Sequence, residues 1–106
     1  MPVINLNELR VVERLPGWRG RFFHSAHMTF AHYDFDEGAR IHEHHHGEEE
    51  VYHVLEGQVE ITIAGTRHIA EPGLAAIVPA DTAHSVRALT SGRLMIVDYP
   101  SIPDLG

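Results

Sequence analysis

Short alternating segments separated by turn-forming residues run through almost the whole sequence, at a spacing of roughly ten residues. The clearest segment is 59–63, "VEITI", in which apolar residues alternate with polar ones. This period of two is typical of a strand with one buried face. The turn signals lie at Pro16-Gly17, Asp36-Glu37-Gly38, Gly47, Glu56-Gly57, Ala64-Gly65, Pro72-Gly73, Pro79 to Thr82, and Ser91-Gly92. A chain divided in this way has room for strands but not for long helices.

We therefore predict an all-β fold, a sandwich or barrel, as a single domain over residues 1–106. Residues 5–13 leave two possibilities open, a single helical turn or an edge strand. The predicted strands lie at 22–23, 28–35, 40–46, 51–55, 59–63, 66–70, 75–78, 85–89 and 93–99.

Charge and composition exclude several classes of protein. The formal net charge of −7 argues against a nucleic-acid partner, which requires a basic surface. The longest apolar run, Leu74 to Val78, is too short to cross a membrane. The first ten residues lack the layout of a signal peptide, so we expect a cytoplasmic protein. Cysteine is absent, and any transition metal must therefore be bound by imidazole and carboxylate groups.

Half of the chain's ten histidines lie in one tract, residues 38–57, "GARIHEHHHGEEEVYHVLEG". Side chains two residues apart in a strand share a face, so His42, His44 and His46 are expected to form one row of imidazoles. The following strand can bring Glu50 beside this row. Imidazole nitrogens and carboxylate oxygens are the donors that divalent first-row ions prefer. The alternative is a solvated tract of mixed charge that binds no ion.

The spacing of this tract, together with a later segment, is similar to the two motifs of the cupin superfamily. The first motif is matched at Gly38, His44, His46, Glu50 and Gly57. The second is matched in part, at Gly73, Pro79 and His84, with Asp81 and Ala88 where the family usually has glycine and asparagine. The chain therefore resembles a small single-domain (type-2-like) cupin, with both motifs within residues 38–88.

The resemblance implies a double-stranded β-helix, the RmlC-like jelly roll or cupin barrel, with a barrel core at about residues 21–99. It also implies that one divalent transition metal ion is bound by His44, His46, Glu50 and His84. In octahedral coordination, these ligands leave two adjacent positions for water or substrate. Iron, manganese, nickel, cobalt, copper and zinc all suit such ligands, so the metal is not identified. A degenerate site that binds only a small molecule is the alternative.

Further pocket residues follow from strand parity. Tyr52 has the same strand parity as the predicted ligand Glu50 and is expected to point inward with it. Arg40 has the same parity as the row of imidazoles, so Arg40 could offer a cation to an acidic substrate there. His42 is a candidate for a proton relay or a substrate contact. Single-domain cupins that help to convert unsaturated uronates, to which this chain is similar, carry an aspartate, an aromatic residue and an arginine after the last strand. Asp98 and Tyr99 match the first two, and the arginine is missing. The candidate catalytic residues are thus His42, Tyr52, Asp98 and Tyr99.

Parity leaves one strand undecided. Either of two alternate sets of side chains on strand 28–35 could line the barrel: Met28, Phe30 and His32, or Thr29, Ala31, Tyr33 and Phe35. His45 and His53 have the parity opposite to the predicted ligands and are expected outside.

Three classes of function fit this pattern. The first, which we favour, is an isomerase- or lyase-type enzyme that acts on a small oxygen-rich anion, a sugar acid or keto acid, with the metal as Lewis acid. The second is an iron-dependent dioxygenase. The third is a non-enzymatic module that binds or senses a small molecule. We also expect a homodimer, because so small a barrel leaves an apolar sheet face and edge strands for a second copy to cover.

Overall fold

Strands dominate the computed structural model, which describes residues 3–105. One 3₁₀ turn at Leu6–Glu8 precedes them. The strands are β1 (Val12–Leu15), β2 (Trp18–His24), β3 (Thr29–Phe35), β4 (Arg40–His44), β5 (Glu49–Glu56), β6 (Val59–Ile63), β7 (Thr66–Ala70), β8 (Ala75–Val78), β9 (His84–Ala88) and β10 (Gly92–Tyr99). No helix in this part of the chain is long and apolar enough to cross a membrane.

The strands form two antiparallel sheets with the core between them. One sheet has six strands in the order β1-β2-β3-β10-β5-β8, and the other has four in the order β4-β9-β6-β7. The all-β jelly-roll prediction is confirmed. The closed barrel is not: within residues 3–105 no backbone ladder joins the two sheets, so the jelly roll is open.

Period-two alternation builds the core, as the sequence pattern predicts. In β6, Val59 and Ile61 are fully buried, while Glu60 between them is only half-buried. In β10, Leu94, Ile96 and Asp98 are buried at the same alternate spacing. Each sheet therefore presents one apolar face to the other, which is what removes these side chains from water.

The N-terminal segment contains both of the structures that the sequence left open. Asn5 caps the 3₁₀ turn, its side chain accepting a hydrogen bond from the amide of Asn7. The chain then adds β1 as an edge strand beside β2, with Val12 opposite Gly20. This places the N-terminal strand at one end of the six-stranded sheet.

The C-terminal segment after β10 is bound to that same end. The Ile102 amide donates to the hydroxyl of Thr29 at 2.8 Å. The His24 ring donates from Nε2 to the Leu105 carbonyl at 3.0 Å, and Arg14 donates to the carbonyl of Asp104 at 3.2 Å. Side chains of β1 to β3 therefore hold the backbone of residues 102–105 across the mouth of the sandwich.

Candidate metal centre

Four side chains from three strands and one loop converge between the sheets. They are His44 at the end of β4, His46 in the loop that follows, Glu50 in β5 and His84 at the start of β9. One donor atom of each lies within 4.8 Å of the donor atoms of the others. The structure thus brings together the four residues that the cupin motifs single out. That they bind an ion stays a prediction.

Each of the three imidazoles is oriented by a backbone carbonyl two residues away. His44 Nδ1 lies 2.8 Å from the carbonyl oxygen of His42. His46 Nδ1 lies 3.1 Å from that of Glu48, and His84 Nδ1 lies 2.9 Å from that of Thr82. A carbonyl can only accept, so Nδ1 carries a proton in each ring, and in the neutral form of the ring Nε2 keeps the lone pair that a metal requires.

Glu50 lies among the imidazoles and accepts several hydrogen bonds. Its two carboxylate oxygens lie 3.2 Å from His84 Nε2 and 3.3 Å from His46 Nε2. Burial alone would raise the pKa of Glu50. Hydrogen bonds from His84, Asp98 and Tyr52 outweigh that effect and lower the pKa of Glu50 to about 2. The carboxylate is therefore charged although it is only 6% exposed.

Asp98 carries the proton of this carboxyl pair. Burial, its hydrogen bond to Glu50 and the charge of Glu50 raise the pKa of Asp98 to about 9. Because two adjacent carboxyl groups cannot both ionise cheaply, a neutral Asp98 donates to an ionised Glu50. This arrangement keeps the negative charge on the residue that faces the imidazoles.

The donor set suits a divalent transition metal ion. Burial, together with the charges of His84 and His46, lowers the pKa of His44, so its neutral, ligating form is favoured. Burial alone would lower the pKa of His84. The hydrogen bonds to Glu50 and to the Thr82 carbonyl, together with the charge of Glu50, raise it instead, so a proton competes with a metal there. Three imidazoles and one carboxylate could hold iron, manganese, nickel, cobalt, copper or zinc.

A cavity of about 430 Å³ opens over three of the four donors. It lies between the sheets and is lined mostly by apolar side chains. Besides His44, His46 and Glu50, the lining residues are Val12, Arg14, Leu15, Trp18, Phe22, Ala31, Tyr33, Ile41, His42, Tyr52, Ile96, Asp98, Ile102 and Leu105. This volume is within the range of sites for small organic molecules.

The candidate catalytic residues fall in different places. Tyr52 and Asp98 are buried and line the cavity beside Glu50. His42 is exposed and lines the rim. Tyr99 is 55% exposed and is not a lining residue of the cavity. Their catalytic roles stay predictions.

Arg40 does not lie on the side of β4 that strand parity predicts, and an irregularity in β4 explains why. Ile41 pairs with Val86 and His44 with His84, so three residue steps on β4 stand against two on β9. One extra residue in a strand reverses the parity beyond it. Ile41 therefore lines the cavity with His44, whereas Arg40 lies in a separate groove on the outer face of the four-stranded sheet.

The structure also decides the undecided strand and adds residues that the sequence did not point to. In β3, Thr29, Ala31 and Phe35 are buried, and Ala31 and Tyr33 line the cavity. His45 and His53 are exposed, as predicted. Arg14, Ile102 and Leu105 reach the cavity only through the contacts of the two chain ends, for which no local sequence pattern exists.

Comparisons with known proteins agree with this architecture. A family model described as "Cupin domain" matches residues 31–99. The fold is similar to that of an RmlC-like cupin from Shewanella frigidimarina, with a TM-score of 0.91, 20% identity and coverage of 98% of this chain and 95% of that one. It is similar to KdgF from Halomonas sp., with a TM-score of 0.86, 27% identity and coverage of 95% and 94%.

A more distant similarity is to oxalate decarboxylase of Bacillus subtilis, a protein with Mn(II) centres. The TM-score is 0.80 at 19% identity, over 92% of this chain and 29% of that one. No curated protein matches the sequence. With its family-model match, its open jelly roll and the His/Glu cluster of both motifs, the chain belongs to the cupin family.

Proposed function

We propose that this protein is a metal-dependent enzyme of the isomerase or lyase type, acting on a small anionic substrate of the sugar-acid or keto-acid kind. One observation supports this most directly. Three imidazoles have their Nδ1 atoms hydrogen-bonded to carbonyls, and two of them, His46 and His84, have Nε2 within 3.3 Å of the buried, ionised Glu50. This cluster lies at the wall of a cavity of substrate size.

Each residue of the cluster has a distinct task in this proposal. His44, His46 and His84 would bind a divalent ion through Nε2, and Glu50 through a carboxylate oxygen. A bound divalent ion supplies Lewis acidity and attracts anionic oxygen donors. Asp98 and Tyr52 hold Glu50 in place by hydrogen bonds, which fixes a ligand carboxylate much as outer-sphere partners fix metal sites in general.

The metal content of the protein tests this proposal. Untagged protein, purified without added metal, is expected to contain about one divalent ion per chain by elemental analysis. His84→Ala should weaken binding by more than the roughly 10–100-fold that loss of an outer-sphere partner causes, because a ligand itself is removed. His68→Ala, a change at an exposed histidine on β7, should leave the content unaltered.

Three kinds of result would contradict the proposal, each in a different way. Absence of any stoichiometric ion, or an equal metal content in the His84→Ala variant, would show that these residues do not form a metal site. Substrate-dependent oxygen uptake by the iron-loaded protein would replace Lewis-acid chemistry by the dioxygenase alternative. A loaded protein that binds keto acids or sugar acids and converts none of them would be a binding module.

We also propose that the protein is a homodimer, formed through the outer face of the six-stranded sheet. A continuous row of apolar side chains crosses five paired strands of that face. In register order the row is Phe23, Phe30, Val97, Val51 and Ile77. Ile77 is 61% exposed, and the rings of Phe23 and Phe30 stack at 4.7 Å.

The chemistry of this row favours a second copy of the chain as its partner. The row is uncharged, so it is complementary to itself across a two-fold axis. On the same face, Asp34 is paired within the chain with both Arg21 and Arg93. A partner is therefore needed to cover apolar surface and not to neutralise charge.

The cytoplasmic location expected from the sequence stays a prediction.

A further inference from the structure

The wall of the cavity above the metal cluster is hydrocarbon over most of its extent. Val12, Leu15, Trp18, Phe22, Ile96 and Leu105 all contribute to it. A ligand hydroxyl placed against such a wall loses its water without gaining a hydrogen-bond partner, which is unfavourable. The lining therefore favours a ligand with an apolar body over a polyhydroxylated sugar acid.

One permanent cation stands in this apolar lining. Arg14 is the single lysine or arginine among the lining residues in the described part of the chain, 3–105. It is exposed, which places it on the solvent side of the cavity. Its guanidinium donates to the carbonyl oxygen of Asp104 at 3.2 Å and lies 5.9 Å from the centroid of the Phe22 ring.

Neither of these contacts neutralises the charge of Arg14. A carbonyl and an aromatic ring are dipolar or quadrupolar partners, not anions. No ion pair within residues 3–105 includes Arg14, whereas Arg19, Arg21 and Arg93 each pair with an aspartate. The guanidinium thus keeps its full charge and several of its five N–H donors for a ligand.

Tyr33 lines the same cavity as Arg14 and the metal cluster. Its ring stands edge-on to the Phe22 ring, over which Arg14 lies, at 5.7 Å. Burial and the charge of Glu50 raise the pKa of the Tyr33 hydroxyl to about 12, and the charge of Arg14 opposes that rise. Tyr33 therefore lies within the electrostatic reach of both the cluster and the guanidinium, and all three line one cavity.

From this arrangement we propose that Arg14 determines substrate specificity, and that the substrate is a small acid with an apolar body and two oxygen-bearing ends. One end, a carboxylate or keto acid group, binds at the metal cluster, and a second carboxylate binds at Arg14. The inference rests on the proposed function. Of the two kinds of substrate proposed there, it selects the keto acid over the sugar acid. An arginine suits this role because its planar fork matches a carboxylate.

Dicarboxylates and their half-amides test the role of Arg14 in the metal-loaded protein. Glutarate, adipate and pimelate each carry two carboxylates on an apolar chain, and each half-amide replaces one of them by a neutral group of similar shape. For the chain length that fits, calorimetry should show about tenfold tighter binding of the diacid than of its half-amide, the effect of one charge-assisted hydrogen bond at an exposed site. Arg14→Gln should abolish that preference while half-amide binding is kept.

Arg40→Gln is the matched control, since it makes the same change in the groove outside the cavity and should leave the preference intact. Retention of the half-amide separates a charge effect from loss of the contact between Arg14 and the C-terminal segment, which would weaken both probes alike. Equal binding of diacid and half-amide by the unaltered protein at every chain length, or the same preference in Arg14→Gln, overturns the proposal.

A parallel titration keeps this test separate from that of the metal site. Metal-free protein is titrated with phenylacetate and with phenylacetamide, which carry one apolar ring and differ in charge. A preference for the acid that is lost in Arg14→Gln supports the role of Arg14 even if the protein binds no metal, which would contradict the proposed function alone. Equal affinity for the two probes in metal-free protein counts against Arg14.

Discussion

The carboxyl pair of Glu50 and Asp98 is the most unusual feature at the scale of single residues. Both groups are buried, at 6% and 3% exposure, and they share one hydrogen bond. The donors around Glu50 stabilise its charge, so the proton of the pair belongs to Asp98. A buried carboxylate that is already ionised needs no deprotonation when a metal binds, which suits it to be a ligand.

This pair predicts a pH dependence of stability in the metal-free protein. The pKa of Asp98 is about 9 in the folded protein and near its ordinary value of 3.8 after unfolding. Between these values the folded state binds one more proton than the unfolded state, so stability falls as pH rises. For one proton the slope is at most about 1.4 kcal/mol per pH unit. Asp98→Asn, whose amide donates at every pH, should remove this contribution.

The measurement is the free energy of unfolding in denaturant, from pH 5 to pH 8, after chelation of metal. The curve of the unaltered protein should fall relative to that of Asp98→Asn as pH increases. Asp81→Asn makes the same change at an exposed turn residue and should run parallel to the unaltered protein. If the curves of all three proteins are parallel, Asp98 is not the protonated member of the pair.

The sequence predicted which residues cluster wherever the spacing of the cupin motifs fixes their positions. The positions of His44, His46 and Glu50 follow from motif spacing, and the structure brings them together with His84. The proton on Asp98 could not be foreseen, because it depends on burial beside Glu50, which only the folded chain creates. Arg14 was missed for a similar reason: its place at the cavity depends on contacts with the C-terminal segment.

At the scale of elements, strand β4 shows how one irregularity redirects a functional surface. The extra residue between Ile41 and His44 turns Arg40 to the outer groove and leaves the histidine in the cavity. The strand also ends at His44, so His46 approaches from a loop and not from the predicted strand 40–46. A bulge leaves no reliable trace in hydrophobic alternation, which is why parity predicted the strand but not its two faces.

The apolar row on the outer face of the six-stranded sheet yields a prediction at the same scale. Ile77→Lys places a charge at the exposed end of the row and should raise the dissociation constant of the dimer at least about tenfold, because an unpaired charge would be buried at the interface. Analytical ultracentrifugation over a range of concentrations measures this constant.

An isoleucine on the other sheet provides the control for this prediction. Ile69 is 45% exposed on the edge strand β7, outside the proposed interface. Ile69→Lys should therefore leave the dissociation constant unaltered. A monomeric unaltered protein, or equal effects of the two lysine substitutions, would contradict a dimer formed through the six-stranded sheet.

At the scale of the whole molecule, the two sheets bring segments from distant parts of the chain to one cavity. The donors of the cluster come from β4, β5, β9 and a loop, while β1 and residues 102–105 close the other side. The all-β class was predictable because turn signals and period-two alternation repeat along the chain. Two features could not be predicted from the sequence: the open edge between the sheets and the cover formed by the two chain ends. Both depend on long-range packing.

We propose that one divalent ion is held by three imidazoles and one carboxylate. X-ray absorption at the metal edge counts these ligands directly in zinc-loaded protein. For the unaltered protein we predict donors at about 2.0–2.2 Å from the zinc and outer-shell scattering from three imidazole rings. For His44→Ala we predict scattering from two rings. A spectrum with one imidazole or none, or one that is identical in the variant, would contradict the assignment of this cluster as the metal centre.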